Sequence, residues 1–503
     1  MTPCRDPLPA AGPGSAPPQQ IATLTETAQT PPPGTGVDEP YTVALVTLGC
    51  AKNLVDSEKA LGGLVRAGFA VTSDPEAADV VVVNTCGFIE AAREESVDEI
   101  LRLAELKRNG RPESLVVAGC LSVRYREELQ AELPEVDHFL GLVDPGEISR
   151  LCGDLAGQAG RAPESCHPPD PALESSPRVV TTPSHYAFLK VAEGCSNPCT
   201  FCAIPLMRGL IRSFLPDELV AEARALVAGG VRELIVVAQD TTHYGVDLTR
   251  IPHDERPTLA RLIRRLGTEV EGLEWLRLMY AYPSHVTDDL IEALADTPGV
   301  VPYLDIPIQH ASDRLLSAMR RTIDREGTLD LLARIRKRIP GIALRTSVIV
   351  GFPGETESDV EALIELLQEV RFERLGVFTY SPEEETPAFG MNGQVPAEEM
   401  ERRRAEVLRV QQEIAAGIND ALTGAEVDVL VEEVLEDLPP FRYLGRTPWD
   451  APEVDQGIYL EVPRPGSAPE RLHHLKPGDF VRAEVIGATD YDLEGIVLPE
   501  SPR

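Results

Sequence analysis

Gly194-Cys195-Ser196-Asn197-Pro198-Cys199-Thr200-Phe201-Cys202 places three cysteines within eight residues, at i, i+4 and i+7. Thiolate is a soft ligand that favours zinc, copper(I) or iron–sulfur clusters. A structural zinc site takes four ligands, often as two paired sets, and here no fourth cysteine or histidine stands just downstream. Three thiolates on a four-iron cluster leave one iron without a protein ligand. An open metal position of that kind is where catalytic sites take a substrate or cofactor. The competing reading is three small buried side chains or a partial zinc site. The rarity of Cys and the tight spacing favour the cluster.

Outward from this loop, the chain alternates strand-like and helix-like runs. Strands are expected at Tyr186–Val191, Glu233–Ala238, Trp275–Tyr280, Val301–Ile308, Ala343–Val350 and Leu375–Tyr380. Helices are expected at Pro216–Ala228, Thr258–Leu266, Asp288–Ala295, Thr328–Arg338 and Glu357–Val370. Six βα units are too few for an eight-stranded barrel, so a partial barrel of six parallel strands is expected over 183–420, with its chemistry at the carboxyl ends of the strands. The Cys195 loop follows the first strand and so falls at that mouth. Gln239-Asp240-Thr241, Asp305, Gln309-His310, Arg345, Ser347 and the turn Gly351-Phe352-Pro353-Gly354-Glu355 occupy other strand ends or inner strand positions. A glycine-rich turn entering a helix lets backbone approach a ligand closely. His310 reads equally as a hydrogen-bonded core residue or a functional one. Arg320-Arg321 reads as a solvated helix end.

The cysteine spacing, with Phe201 before the last cysteine, resembles the radical S-adenosylmethionine enzymes. In that family the three cysteines hold a 4Fe-4S cluster whose open iron chelates the amino and carboxylate groups of S-adenosylmethionine, and one electron releases a 5′-deoxyadenosyl radical. The resemblance implies Cys195, Cys199 and Cys202 as cluster ligands and Gln239, Asp240 and Gly351 as cofactor contacts.

Toward the N-terminus, 41–153 reads as a second α/β unit. Val43–Leu48, Val80–Val83 and Leu115–Ala118 suit buried parallel strands, with helix-like stretches Asp56–Ala67 and Ile89–Leu106 between them, which implies an open doubly wound parallel sheet. Thr47-Leu48-Gly49-Cys50, Asn84-Thr85-Cys86-Gly87 and Ala118-Gly119-Cys120 each put a cysteine just past a strand's carboxyl end. Those ends share one sheet edge, where ligands bind. One such cysteine alone is a small buried turn residue; three in the same placement point to a shared metal site with an open iron. Cys4, Cys152 and Cys166 show no such placement and read as unligated, with Cys166-His167 a zinc-like pair in a linker, 154–182.

The flanks and the charge complete the reading. The first forty residues are rich in Pro, Gly, Ala and Thr and lack the basic and apolar regions of a secretory signal, so 1–40 is expected to be a disordered extension. Residues 421–503 carry four strand-like runs, Val427–Val434, Gly457–Val462, Phe480–Ile486 and Leu493–Leu498, which suit a small all-β barrel. From Asp420 on there are 18 acidic and 7 basic side chains, a balance that opposes a phosphate-binding surface. The 503-residue chain as a whole has a formal net charge of −34. That opposes non-specific nucleic-acid binding and favours basic partners. No run of 18 apolar residues predicts a membrane span. An odd set of nine cysteines in a cytoplasmic-looking chain suits metal ligation better than disulfides.

The order of three units resembles the radical S-adenosylmethionine methylthiotransferase family over about Tyr41 to Leu498, the last unit being TRAM-like. Family members use two 4Fe-4S clusters to insert a methylthio group into an unactivated C–H bond. One branch modifies tRNA adenosine, the other an aspartate β-carbon on small-subunit ribosomal protein twelve. The second branch is the closer in His185-Tyr186-Ala187-Phe188-Leu189-Lys190, Ile204-Pro205-Leu206-Met207-Arg208-Gly209, Gln239-Asp240-Thr241-Thr242, Tyr303–Ala311, Tyr380-Ser381-Pro382-Glu383-Glu384 and Gly445–Asp455. Gln456 stands where the family usually has glycine, and the N-terminal extension and the Cys166-His167 linker also depart from the pattern. The resemblance implies that Cys50, Cys86 and Cys120 hold the auxiliary cluster, with S-adenosylmethionine as both radical source and methyl donor. It also implies a basic ribosomal protein and an electron donor protein as partners, and nucleic-acid contact only through incidental ribosomal RNA. A tRNA-modifying enzyme and a two-cluster electron-transfer or scaffold protein are the alternatives. The scaffold expects four-cysteine clusters, and the tRNA enzyme a basic face.

Overall fold

A computed structural model describes residues 41–161, 178–464 and 469–499. The extension 1–40, Cys4 and the Cys166-His167 pair lie outside the described residues.

The first unit is a five-stranded parallel sheet of β1 (Thr42–Thr47), β2 (Ala70–Thr72), β3 (Val80–Thr85), β4 (Ser114–Gly119) and β5 (His138–Phe139), in the order β2-β1-β3-β4-β5. Alternation along β3 explains why both faces are covered. Val80 and Val82 pack with Leu64, Ile148 and Cys152 on one side, Val81 and Val83 with Ile100 and Leu103 on the other. Each such buried side chain contributes about 1.5–3 kcal/mol. Cys152 is therefore a core residue. The strand order reverses between β1 and β3, the switch point at which open α/β sheets bind ligands. Cys50 and Cys86 flank it, one just past each strand.

The second unit is a six-stranded parallel sheet of β6 (Tyr186–Lys190), β9 (Glu233–Val237), β10 (Trp275–Leu278), β11 (Val300–Asp305), β12 (Ala343–Val350) and β13 (Arg374–Thr379), with a small ribbon of β7 (Ala192–Glu193) and β8 (Arg212–Ser213) beside the cysteine loop. Its outer face presents Leu189, Leu234, Val236, Leu276 and Leu304 to the surrounding helices. Its inner face presents Phe188, Ile235, Trp275 and Tyr303, and other units fill that hollow. The helix Ala51–Arg66 supplies Ala51, Leu54 and Val55; the last unit supplies Leu430, Trp449, Ala451 and Phe480.

The last unit is a closed barrel of β14 (Glu426–Val434), β15 (Tyr443–Arg446), β16 (Ile458–Glu461), β17 (Phe480–Ala488) and β18 (Leu493–Val497). It seats on the amino-terminal ends of the second sheet through buried ion pairs. Glu233 meets Arg446 at 2.6 Å and Arg277 at 2.7 Å. Arg374 donates to Asp450 at 2.9 Å, and the hydroxyls of Tyr303 and Tyr186 donate to Asp455 and Glu453 at 2.7 and 2.8 Å. The Gly445–Asp455 stretch is thus the barrel's docking segment.

Several elements escape the sequence patterns, among them the ribbon β7–β8 and short helices such as Arg126–Glu132 and Asp313–Ala318. β2 and β5 are edge strands of three and two residues, too short for a period. β15 is crowded by glycine and proline. The helix Ala397–Ala421 buries few apolar side chains, Val407, Val410, Ile414 and Ala415, beside the polar Arg403, Gln411 and Asn419. The helix Pro145–Gln158 also runs into the stretch read as linker, its start fixed by Asp144 accepting from the Glu147 N–H. Among the described residues no helix is long and apolar enough to cross a membrane.

Candidate active site between two cysteine trios

Cys50 is the N-cap of the helix Ala51–Arg66, Cys86 follows β3, and Cys120 begins the short helix Cys120–Arg124. Gly49 permits their approach. Its φ is +87°, and a Cβ there would stand 2.7 Å from the Cys86 Cβ and 2.9 Å from its Sγ. Burial alone pushes the Cys50 thiol up, yet Lys52 and Arg208 bring it below the ordinary thiol value. Burial, then Cys50, pushes Cys86 up to about 12, and burial raises Cys120 against the pull of Arg208. A metal centre here would expel these protons, and the cations already favour that at Cys50.

The other trio sits in the loop after β6 and β7. Thr200 holds the loop, its N–H bonding the Met319 carbonyl at 3.2 Å and its hydroxyl the Ala318 carbonyl at 2.9 Å. Phe201 packs beside Phe352 and Tyr380, joining the loop to the Gly351 turn. Burial pushes Cys195 up to about 11 and Cys202 up to about 12. Two polar groups converge on Cys199: Arg321 Nη1 donates at 3.7 Å and the Tyr282 hydroxyl lies 3.9 Å from its Sγ. The Arg321 guanidinium also lies 3.8 Å from the centre of the Tyr282 ring. Arg321, expected as part of a solvated helix end, is instead buried. The left-handed backbone at Arg320, φ +55°, turns it inward.

The two trios are neighbours. Cys120 packs against Ala203, Ile204 and Met207, the segment directly after Cys202. Arg208, from that same segment, donates to Glu193 at 2.5 Å, to Asp56 at 3.2 Å and to Asn53 of the first unit. Lys190 pairs with Glu193 at 2.7 Å and also with Asp56. Burial opposes ionisation of Glu193, but Lys190 and Arg208 hold it down at about 2.

The remaining candidates fall in three places. Gln239 donates to Glu193 at 3.3 Å, into this network. Asp240 accepts from Asn197 of the cysteine loop at 2.7 Å and bonds His285 Nδ1 at 3.0 Å; against burial, His285, Thr242 and Asn197 keep its carboxyl below the ordinary value. Gly351 has φ +78°, a Cβ there would strike Met400 at 2.3 Å, and its N–H donates to Glu355 at 2.7 Å. His310 is fully satisfied: one ring nitrogen bonds Glu355 at 3.1 Å and the other accepts from the Ala311 and Ser312 N–H groups at 2.9 and 3.0 Å. It is a structural residue that steadies the Gly351 turn.

A test of fit follows from spacing. Thiolates sharing one zinc lie at most about 4.6 Å apart, since Zn–S is about 2.3 Å. Among the described residues no three cysteine sulfurs close to within 4.8 Å; only Asp240, His243 and His285 form such a group. Neither cysteine trio closes on a single ion as it stands, and each has a cation against its thiols. The sequence reading missed Lys52, Glu193, Arg208, Tyr282, His285 and Arg321. Lys52 carried a legible signal, a cation in the first turn of a helix where the dipole disfavours it. The others come from segments far apart in the chain.

Three family models match consecutive parts of the chain: an uncharacterized protein family, UPF0004, over 42–141, the radical SAM superfamily over 189–367, and the TRAM domain over 423–498. The chain is 49% identical to the ribosomal protein uS12 methylthiotransferase RimO of Anaeromyxobacter sp. (strain K), over 92% of this chain and 94% of that one. It is 44% identical to the protein of the same description from Symbiobacterium thermophilum, over 94% of each, and 41% identical to that of Clostridioides difficile, over 91% of this chain and 99% of that one. Among solved structures, the radical S-adenosylmethionine methyltransferase TsrM from Kitasatospora setae superposes with a TM-score of 0.50 at 18% identity, over 70% of this chain and 74% of that one, a likeness of fold.

Proposed function

The chain belongs to the ribosomal protein uS12 methylthiotransferase family and is a radical S-adenosylmethionine enzyme; on that premise we propose that it attaches a methylthio group to the β-carbon of an aspartate of ribosomal protein uS12, in the cytoplasm. The observation that carries this reading is the adjacency of two open cysteine trios from different units, joined by the segment Cys202–Arg208. Cys195, Cys199 and Cys202 hold one 4Fe-4S cluster and Cys50, Cys86 and Cys120 the other. When bound, the clusters and S-adenosylmethionine supply a primary carbon radical, the sulfur and the methyl group. An aspartate β-carbon has no acidity that a base can use at neutral pH, so hydrogen abstraction by a radical is the fitting chemistry.

The chain's own part is placement. Asp240, buried and bonded to Asn197, His285 and Thr242, steadies the cysteine loop at the mouth, where the cofactor would bind. The left-handed Gly351 turn would let backbone approach the cofactor, and Gln239 donates to Glu193 on the far side of the mouth. The buried network of Lys190, Glu193, Arg208 and Asp56 locks the two units together and keeps water from the space between the clusters. An electron donor protein completes the cycle. The net charge of −34 steers a strongly basic ribosomal protein toward the enzyme.

The clusters separate by substitution. Cys199→Ala abolishes formation of 5′-deoxyadenosine from S-adenosylmethionine. Cys86→Ala leaves that cleavage in place and stops methylthio transfer to uS12, read by mass spectrometry. Intact transfer by the Cys86 variant removes the auxiliary site from the mechanism.

A further inference from the structure

Lys52 is the second residue of the helix Ala51–Arg66 and is 7% exposed. The neighbouring buried cations Lys190 and Arg208 are each met by both Asp56 and Glu193. Among the described residues no carboxylate stands within 4.0 Å of the Lys52 ammonium. Its Nζ lies over the Tyr280 ring, 3.4 Å from the ring centre, with the Tyr280 hydroxyl and the Cys50 thiol as polar neighbours. A buried ammonium is costly unless an anion meets it, and a cation in the first turn of a helix works against the dipole as well. The Cys50 thiol, which Lys52 helps to ionise, meets part of that need; no carboxylate of the described chain is committed to Lys52, so one from a substrate can be.

Its location says which anion. Lys52 follows Cys50 by two residues, so it stands at the auxiliary trio. Tyr280, whose ring it covers, belongs to the mouth of the second sheet and is held in a left-handed conformation, φ +61°. The Tyr280 N–H donates to Asp305 and its carbonyl accepts from the Thr241 N–H, both at 3.1 Å. Two residues on, the Tyr282 hydroxyl reaches Cys199 of the other trio. Lys52 thus lies between the trios, where a carbon served by both must come.

We propose that Lys52 is the substrate-binding residue that receives the side-chain carboxylate of the target aspartate. The proposal rests on the reading above that the target is an aspartate. The carboxylate carbon is bonded directly to the β-carbon, so anchoring the one places the other between the clusters. It also makes the site selective for an acidic residue over its amide or over a nucleobase.

The test uses full-length, anaerobically reconstituted enzyme, as wild type, Lys52→Met and Lys52→Arg, with ribosomal protein uS12 carrying either its target aspartate or asparagine there. Wild type is expected to bind the aspartate form about tenfold more tightly than the asparagine form. Lys52→Met is expected to bind both alike, to keep its iron and its cleavage of S-adenosylmethionine, and to lose methylthio transfer; Lys52→Arg regains part of the preference. A Lys52→Met enzyme that keeps the preference overturns the assignment, including the case in which only the auxiliary cluster's reduction potential moves, since Lys52 then serves the cluster's charge alone. If the variant fails to take up iron, the wild-type comparison decides: equal binding of the two forms overturns the assignment. Wild type that modifies uS12 without preferring the aspartate form defeats Lys52 alone, whereas wild type that leaves uS12 unmodified defeats the reading of the substrate itself.

Discussion

The side chains that touch the cysteines set what each trio can do. Arg321 places a positive charge 3.7 Å from Cys199, and a cation beside a cluster thiolate stabilises the reduced, more negative state. Arg321→Met is expected to lower the midpoint potential of the Cys195–Cys199–Cys202 cluster, with iron content unchanged. An EPR-monitored redox titration reads the shift, and an unmoved potential makes Arg321 a packing residue. Gly49→Ala forces a Cβ to 2.7 Å from Cys86 in a left-handed backbone. It should halve iron content while 5′-deoxyadenosine formation persists. Cys195, Cys199 and Cys202 stood out by their tight spacing, and Cys50, Cys86 and Cys120 by their shared place just past a strand's end. Arg321 did not, because its burial depends on one left-handed residue that no periodicity announces.

Elements carry these side chains to the mouth, and their ends are where the sequence was most and least informative. The strands β3, β9 and β12 were legible as apolar β-branched runs, and the helices Pro216–Ala228 and Glu357–Val370 fall where their patterns put them. Edge strands of two or three residues left no such trace. The helix Glu357–Val370, which continues from the Gly351 turn, starts at a capping box of Thr356 and Asp359. Against the effect of burial, bonds from Ser312 and Thr356, with Arg314, hold Asp359 down at about 2. A carboxylate held below its unfolded value stabilises the fold above that unfolded value and loses the contribution as pH falls through the folded one. Asp359→Asn should therefore lower thermal stability at neutral pH by on the order of 2 kcal/mol. It should flatten the loss of stability between pH about 4 and 2, followed by circular dichroism.

At the scale of the molecule, charge and docking dominate. Long-range attraction between a chain of net charge −34 and a basic protein is screened over about 8 Å at physiological salt. The association rate with uS12 should fall steeply between low and high ionic strength, read by stopped-flow, and a salt-insensitive rate counts against electrostatic steering. Glu233, wholly buried, neutralises Arg277 and Arg446 at the seam between the second sheet and the last barrel. Glu233→Gln leaves two buried guanidinium groups without their shared partner and should cost about 3–5 kcal/mol, seen as a lower urea midpoint. The same seam bears on how such enzymes diversify. Because Leu430, Trp449, Ala451 and Phe480 line the hollow behind the cysteine mouth, the terminal module is no interchangeable tag. A chimera that borrows this module from a cousin would have to inherit matching partners for Glu233, Arg277, Tyr303 and Arg374 as well, so that terminal module and catalytic scaffold descend as one linked trait.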